Sequence, residues 1–565
     1  MTSARILYCL LVTYTLVSCT NNSSATPQPL PTFVSPGVRD NPILGGAEKT
    51  TSHISKDLGA ITNYHFEVSL DYTGHRVKVS QLVDIVNPGP DVWSELVFYL
   101  PADLQTERFV LSTVGIQDGV ESLATQMQVT SDGFLTFQLS KYLNPNESRM
   151  VTIKYGLEAT KVDLATLSPE GDVGYNEDVL QFVNWYPQLV PYKPGVGWIR
   201  WPDVGPDWPI VAEVSDYQLL VGVTDGIIVA SGGPVERRGN DWYFQMQNAR
   251  SIAFSASPDY ELKTSTEAGV TIYLFHLPDD GFAGDAVLNA TTRSLVLFND
   301  RYGHYPYRSL VIAQNHYRTS VASGGLLLHS GQGFENYSGQ PDSLLMVLVP
   351  LTLSQLWWGE LVGYDRITEP WIGASFAMYS EYMYVAKYFP DMKDWFWTDR
   401  IDYWQPDGPL NSTVYDMDNR QQMLQNTYRI GARFMHELHN EMGNSSFRSF
   451  TRDLFRRGAF QIVDGTEFFS TLRRHTIDYP EEIIARYFDE NIEIPTMMPA
   501  LTPIYNLAQP PTATPVQRIH KVQTGDTLIS LAIQYEVPMQ MIIDRNRIVD
   551  PATLQIGSKL VIPYP

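Results

Sequence analysis

The chain is almost without cysteine. Its 565 residues contain two, Cys9 and Cys19, both within the first twenty positions. From Thr20 onward there is no thiol, so no disulfide can staple the body and no thiolate metal site is available to it. Positive charge is also in deficit: 40 Lys and Arg against 62 Asp and Glu leave a formal charge of −22. A chain this acidic does not take a phosphate backbone as its main partner, which excludes nucleic-acid binding as its chief function. Long apolar runs are scarce. Beyond the N-terminus no segment approaches the roughly 20 consecutive apolar residues of a membrane-spanning helix. What is present is hydrophobic residue enough, 44% with 12% aromatic, to build several cores in a chain of this length.

The N-terminus accounts for both cysteines. Arg5 precedes the apolar run Ile6–Val17, which is too short to span a bilayer as an ordinary helix and suits the core of a signal peptide. The run ends in Leu16-Val17-Ser18-Cys19, which resembles the lipobox of bacterial lipoproteins. That resemblance implies a signal peptide over residues 1–18 and lipidation of Cys19, with the chain held on a membrane outside the cytoplasm, in the bacterial cell envelope. Residues 19–61 are rich in Ser, Thr, Asn and Pro and read as a flexible tether.

From Asn63 the pattern turns to period two. YHFEVSLDY, HRVKVSQLVDIVN, RMVTIKYGLEA and YQLLVGVTDGIIVASG alternate apolar and polar residues between Pro and Gly turns. Residues 62–262 are expected to form an antiparallel β-sandwich. From Val270 strands and helices mix, with a helix predicted near Asp285–Tyr302, and beyond Leu344 the chain reads as mainly helical. A second Pro- and Thr-rich linker spans residues 499–517. No tandem repeat with a period of 20–50 residues is present.

Residues 518–565 resemble a LysM domain over nearly their whole length. Gly525-Asp526-Thr527-Leu528, the helical LISLAIQYEV, Asn546 and the closing LQIGSKLVIP carry the resemblance. The residues agree with the βααβ fold it implies: Val522 begins a short strand, Gly525-Asp526 turn it, and Asp526 or Thr527 caps the first helix. LysM modules bind N-acetylglucosamine glycans such as peptidoglycan. The family groove falls here on Gly525, Asp526, Thr527 and Leu528, and on Ile548, Val549, Asp550, Pro551, Ala552 and Thr553.

Residues 62–492 resemble the alanyl aminopeptidase family, the zinc peptidases that include leukotriene hydrolase. VNWYP at Val183–Pro187, RYGHYPY at Arg301–Tyr307, WWGELV, WIGASFAMYSEY and TYRIGARFMHELHNEMG carry it by their order and spacing. The resemblance implies a multidomain chain: an antiparallel β-sandwich, an α+β thermolysin-like domain over residues 263–498, then the βααβ LysM unit. It also implies where chemistry should sit. In the family, H-E-x-x-H precedes Trp-Trp-Gly, and a third ligand, Glu, follows after eighteen intervening residues; the histidines hold zinc and the first glutamate activates its water. Anchored on Trp357-Trp358-Gly359, the two histidine positions hold Leu351 and Gln355, the general-base position holds Thr352, and the third ligand position holds Ala374. The glutamate that grips a substrate's amino group falls at Leu327, in GGLLL. Only the tyrosine that stabilises the oxyanion persists, as Tyr428.

Hydrocarbon side chains offer a metal no lone pair, so no metal and no cofactor is expected, and the body reads as a pseudo-peptidase. The old cleft is left to a peptide or protein ligand. The alternative is a working zinc aminopeptidase whose ligands have moved to His316, His329 or Glu335. Glu335 lies in GFEN, too close to the metal helix for the family spacing. HELHN at His436–Asn440 lacks the second histidine of a zinc motif and reads as a surface or interlobe helix. GASFA at Gly373–Ala377 approaches a nucleophile elbow but falls within a helix. His304, His316 and His329 are the histidines that a replacement metal site near the old cleft would use. Trp185, Trp198, Trp201 and Trp208 read as packing rather than a sugar platform.

Overall fold

The computed structural model describes residues 62–489 apart from stretches at 119–120, 124, 132, 163–172, 202–209, 317–319 and 418–419. Toward the C-terminus it describes 518–522, 528, 531, 546, 548 and 557–562. Cys19, the tether and the linker at 499–517 lie outside these residues, as do Gly525, Asp526, Thr527 and Val549 through Thr553. Among the described residues no helix is long and apolar enough to cross a membrane.

The alternating segments form the expected strands. An eight-stranded sheet runs in the order Val235–Arg238, Asp241–Ala249, Ser215–Gly222, Thr62–Asp71, Arg76–Val86, Ser148–Glu158, Phe109–Asp118, Glu121–Leu123. Its inward residues, among them Tyr64, Phe66, Val79, Val83, Ile153 and Leu219, pack on one core with Leu96, Phe98 and Phe137 of a four-stranded sheet. Trp185 and Tyr186 fill the middle of that core. The pairing is not wholly antiparallel. Thr62–Asp71 runs parallel to Ser215–Gly222, Asn63 opposite Asp216 through Ser69 opposite Gly222. Alternation sets which face of a strand is buried and leaves its direction open, so a long-range parallel partner is invisible to it.

A further, five-stranded sheet begins with Glu261–Glu267, so the sequence boundary at 262/263 falls inside its first strand. The order continues Val270–His276, Ser309–Gln314, Leu326–His329, Val321–Ser323. The middle three are parallel. The helix Gly281–Arg301 makes the crossover between the first two, as parallel neighbours require. It starts four residues before the expected Asp285.

This sheet has two dry faces. Leu326 and Leu328 turn toward Val179, Val183 and Ala253 of the sandwich. Leu327, one residue out of phase, joins Leu345, Leu353 and Trp357 in the helical core. The helices Leu344–Ser354, Trp371–Tyr388, Ile430–Gly458 and Gly465–Arg474 build that core.

At the C-terminal end Arg518–Lys521 pairs antiparallel with Lys559–Ile562, Arg518 opposite Ile562. The first strand therefore ends just before Val522, which was read as its start. Val522 instead closes the pair, donating to Ser558 O at 2.9 Å. Leu528 and Leu531 are buried.

Candidate functional site

The helix Leu344–Ser354 is apolar almost all round, and all but two of its residues are buried. Pro350 sits inside it and cannot donate to the turn before it. Beyond Pro350 the chain tightens: Gln355, Leu356 and Trp357 donate to Thr352, Leu353 and Ser354. The next turn widens, with Glu360, Leu361 and Val362 donating to Gln355, Leu356 and Trp357. This change of pitch turns the tryptophans inward. Trp358 stacks on Phe376 with ring centroids 3.7 Å apart, and Trp357 donates its indole N–H to Gly303 O at 2.9 Å.

The positions assigned to zinc by the resemblance converge on hydrocarbon. Leu351 is 8% exposed and packs with Ala377, Met378, Val385, Phe396, Ile401 and Ala432, Tyr428 lying partly buried against the same group. Ala374 stands one turn before Ala377 and Met378 on the helix Trp371–Tyr388 and is itself buried. Tyr428 lies in a turn of π-helix, Leu424–Arg429, that feeds the helix Ile430–Gly458. The Gln355 amide donates to its hydroxyl at 3.5 Å. Gly431 makes the approach of this helix possible, since a Cβ there would fall 2.2 Å from Ser375 Oγ. Burying Leu351 contributes about 1.5–3 kcal/mol.

A tetrahedral zinc needs deprotonated or imidazole donors. Leu351 and Ala374 have none, and Gln355 has one weak amide oxygen, so this donor set does not fit the metal. Thr352 is buried, its hydroxyl has no hydrogen-bond partner among the described residues, and it is no base at neutral pH. Leu327, at the amine-gripping position, lies within the helical core.

The relocated candidates do not assemble either. Among the described residues no three His, Cys, Asp or Glu side chains come together as a metal-binding group. Glu335 is exposed on the short helix Gly331–Glu335, which Ser330 caps by accepting from Gly333 N. His329 is fully buried; its Nδ1 lies 3.2 Å from Ser320 Oγ, and burial pushes its imidazole down to about 3. Burial likewise pushes His316 down to about 3. His304 stays exposed.

HELHN packs on the helix Trp371–Tyr388, the interlobe placement that its reading allowed, with Asn440 exposed. His439 Nδ1 lies 2.7 Å from the Tyr379 hydroxyl and its ring stacks on Phe447, while His436 lies against Trp397. Ser375 of GASFA is buried inside its helix. Trp185 is core, Trp198 donates to Glu95 O, and Trp201 reaches the Asp365 carboxylate at 3.0 Å; Trp208 lies outside the described residues.

Three buried charged groups escaped the motif reading. Glu381, two turns past Ala374, is fully buried and receives both Arg400 Nε and Nη2, at 2.8 and 3.0 Å. Burial raises its carboxyl and Arg400 pulls against that. Arg429 follows Tyr428 directly, and its guanidinium lies 4.5 Å from the centre of the Trp404 ring. Glu360 follows Trp357-Trp358-Gly359 directly. It accepts from Gly324 N at 3.2 Å and Ser251 Oγ at 3.3 Å, which ties the glycine turn to the sandwich. Burial pushes this carboxyl up, opposed by Arg366, Gly324 and Arg250. Arg429 and Glu360 each follow a motif residue directly, and Glu381 lies within the segment WIGASFAMYSEY, but nothing in those segments marks the three as buried.

The described residues comprise a β-rich N-terminal domain, a mainly helical domain and, toward the C-terminus, a two-stranded antiparallel pair. The peptidase family M1 domain matches residues 336–489, and the LysM domain matches residues 520–563. No curated protein matches. Among solved structures, an M1 zinc metallopeptidase from Deinococcus radiodurans is similar at 14% identity and a TM-score of 0.55, covering 79% of this chain and 96% of that one. A mutant of the same enzyme bound to a Tyr-Ser-Ala substrate gives 14% and 0.54, over 77% and 95%. Likeness at this identity shows the fold. The chain carries a peptidase family M1 domain, the family of the aminopeptidases, preceded by a β-rich domain and followed by a LysM domain.

Proposed function

We propose that the chain is a lipid-anchored protein of the bacterial cell envelope whose M1 body binds rather than hydrolyses, and whose LysM domain holds peptidoglycan or a related N-acetylglucosamine glycan. The observation that carries this reading is the packing of Leu351 with Met378, Phe396 and Ile401 where the family keeps its metal. Full zinc sites contribute about 10–16 kcal/mol of binding, and little of that survives without ligands. Without a metal-bound water, Tyr428 has no nucleophile to assist. The LysM match supports glycan binding, and Leu16–Cys19 supports lipidation. Two attachments would raise the local concentration of the body at the envelope without new contacts. A peptide or protein segment is the ligand class proposed for the remaining cleft.

The test is metal content of the purified full-length chain, together with hydrolysis of aminoacyl reporter substrates. The expected result is substoichiometric zinc and no turnover. Stoichiometric zinc with turnover abolished by a chelator would establish the alternative, a working aminopeptidase with relocated ligands.

A further inference from the structure

Next to the cluster around Leu351, the segment after Ile401 leaves two large aromatic rings in water. Tyr403 is 73% exposed and Trp404 40% exposed, their rings perpendicular with centroids 5.4 Å apart. The pair is held in place. Asp402 O accepts from Gln405 N, Gln405 sits in the left-handed region at φ +47°, and Gln425 Nε2 donates to Trp404 O at 3.2 Å. Beneath the indole lies Arg429, only 6% exposed. Its Nε and Nη1 are buried with no hydrogen-bond partner among the described residues.

Among the described residues that guanidinium has no carboxylate to itself. Glu381, the carboxylate that acts on it, is already held at both oxygens by Arg400. Asp402 is taken by Arg433, and no described ion pair joins Arg429 to Asp399 or Asp407. Burial, then Arg400, pushes Arg429 down to about 10, so it remains a cation at neutral pH. A buried cation with unmade hydrogen bonds is costly, and an exposed Trp and Tyr side by side add apolar surface in water. One class of ligand answers both costs: a ring with apolar CH faces to lie on the aromatics and a carboxylate to reach the cation.

We propose that Tyr403, Trp404 and Arg429 form a second saccharide site, for an N-acetylated pyranose that bears a carboxylate on a substituent. The inference rests on the glycan-bound reading of the chain. It adds to it a contact made by the M1 body itself, to the acidic part of the polymer whose neutral N-acetylglucosamine the LysM domain takes. Phosphate polymers are disfavoured, because they offer Arg429 a charge but the aromatic pair no ring face.

Calorimetric titration of the full-length chain tests it with two probes. One is the neutral N-acetylglucosamine tetramer; the other is the peptidoglycan disaccharide carrying its lactyl and stem-peptide carboxylates. The tetramer should fill one site and the carboxylated disaccharide two. Trp404→Ala should remove one disaccharide site and leave tetramer binding unchanged. Tyr403→Ala, at an exposed side chain, should weaken the second site by ~tenfold without disturbing the fold. A single disaccharide site that the tetramer competes for, or two sites that survive in both variants, overturns the proposal. No tetramer binding, with one disaccharide site lost in Trp404→Ala, would support this site and sink the glycan reading of the LysM domain.

Discussion

Glu369 accepts the Gly465 N–H at 2.7 Å at the start of the helix Gly465–Arg474. Burial pushes its carboxyl up to about 7; the Gly465 bond holds it down, and Asp464 and Asp365 push it further. A carboxyl raised on folding stabilises the native state while it is protonated. Its contribution is complete below the ordinary Glu value of about 4.3 and is lost as pH rises through about 7. Glu369→Gln should therefore match the parent at pH 4.5 and exceed it in stability at pH 8, read by urea midpoints across that range. Parallel pH profiles for the two proteins would refute the shift. At this scale the sequence was informative where a motif supplies a ruler. Trp357-Trp358-Gly359 fixed the counting, and the fold brings Leu351, Gln355 and Tyr428 to one place. Arg429 and Glu381 have no such ruler. A charged residue in a helix reads as solvated until its neighbours are known, and those neighbours, Trp404 and Arg400, come from another segment.

Elements meet where glycine allows it. Gly324 has φ +51°, and a Cβ there would lie 2.1 Å from Ser251 O in the sandwich. The same residue donates its N–H to the buried Glu360. Gly269, by contrast, has φ +80° with nothing within 4 Å of its missing Cβ. Gly324→Ala should cost the left-handed strain of about 1 kcal/mol and, in addition, force the sandwich away from the sheet edge; Gly269→Ala should cost only the former. Chemical denaturation of both variants separates the terms, and equal losses would mean that the close approach carries no energy. Strands and the principal helices were legible because each buries one face at a fixed period. Strand direction was not, and neither was the extra run of Gly281–Asp285 that starts the crossover helix.

At the scale of the whole molecule the chain joins a large body without thiols to a small C-terminal LysM domain. A chain ending at Gln517 should lose retention on an insoluble N-acetylglucosamine polymer while the full-length chain is held. Equal retention would place the glycan contact in the body alone. Composition offers a boundary between the two matched domains, since the stretch 499–517 between them is rich in Pro and Thr. One consequence follows from where the body's first strand lies. Thr62–Asp71 is not an edge: it is laddered to Arg76–Val86 on one side and to Ser215–Gly222 on the other. Tension entering at Thr62 along the strand loads both ladders in shear, so their hydrogen bonds must fail together rather than unzip one by one. A body tugged from its N-terminal side would then yield only under high force, because no single rung of either ladder can open ahead of the rest.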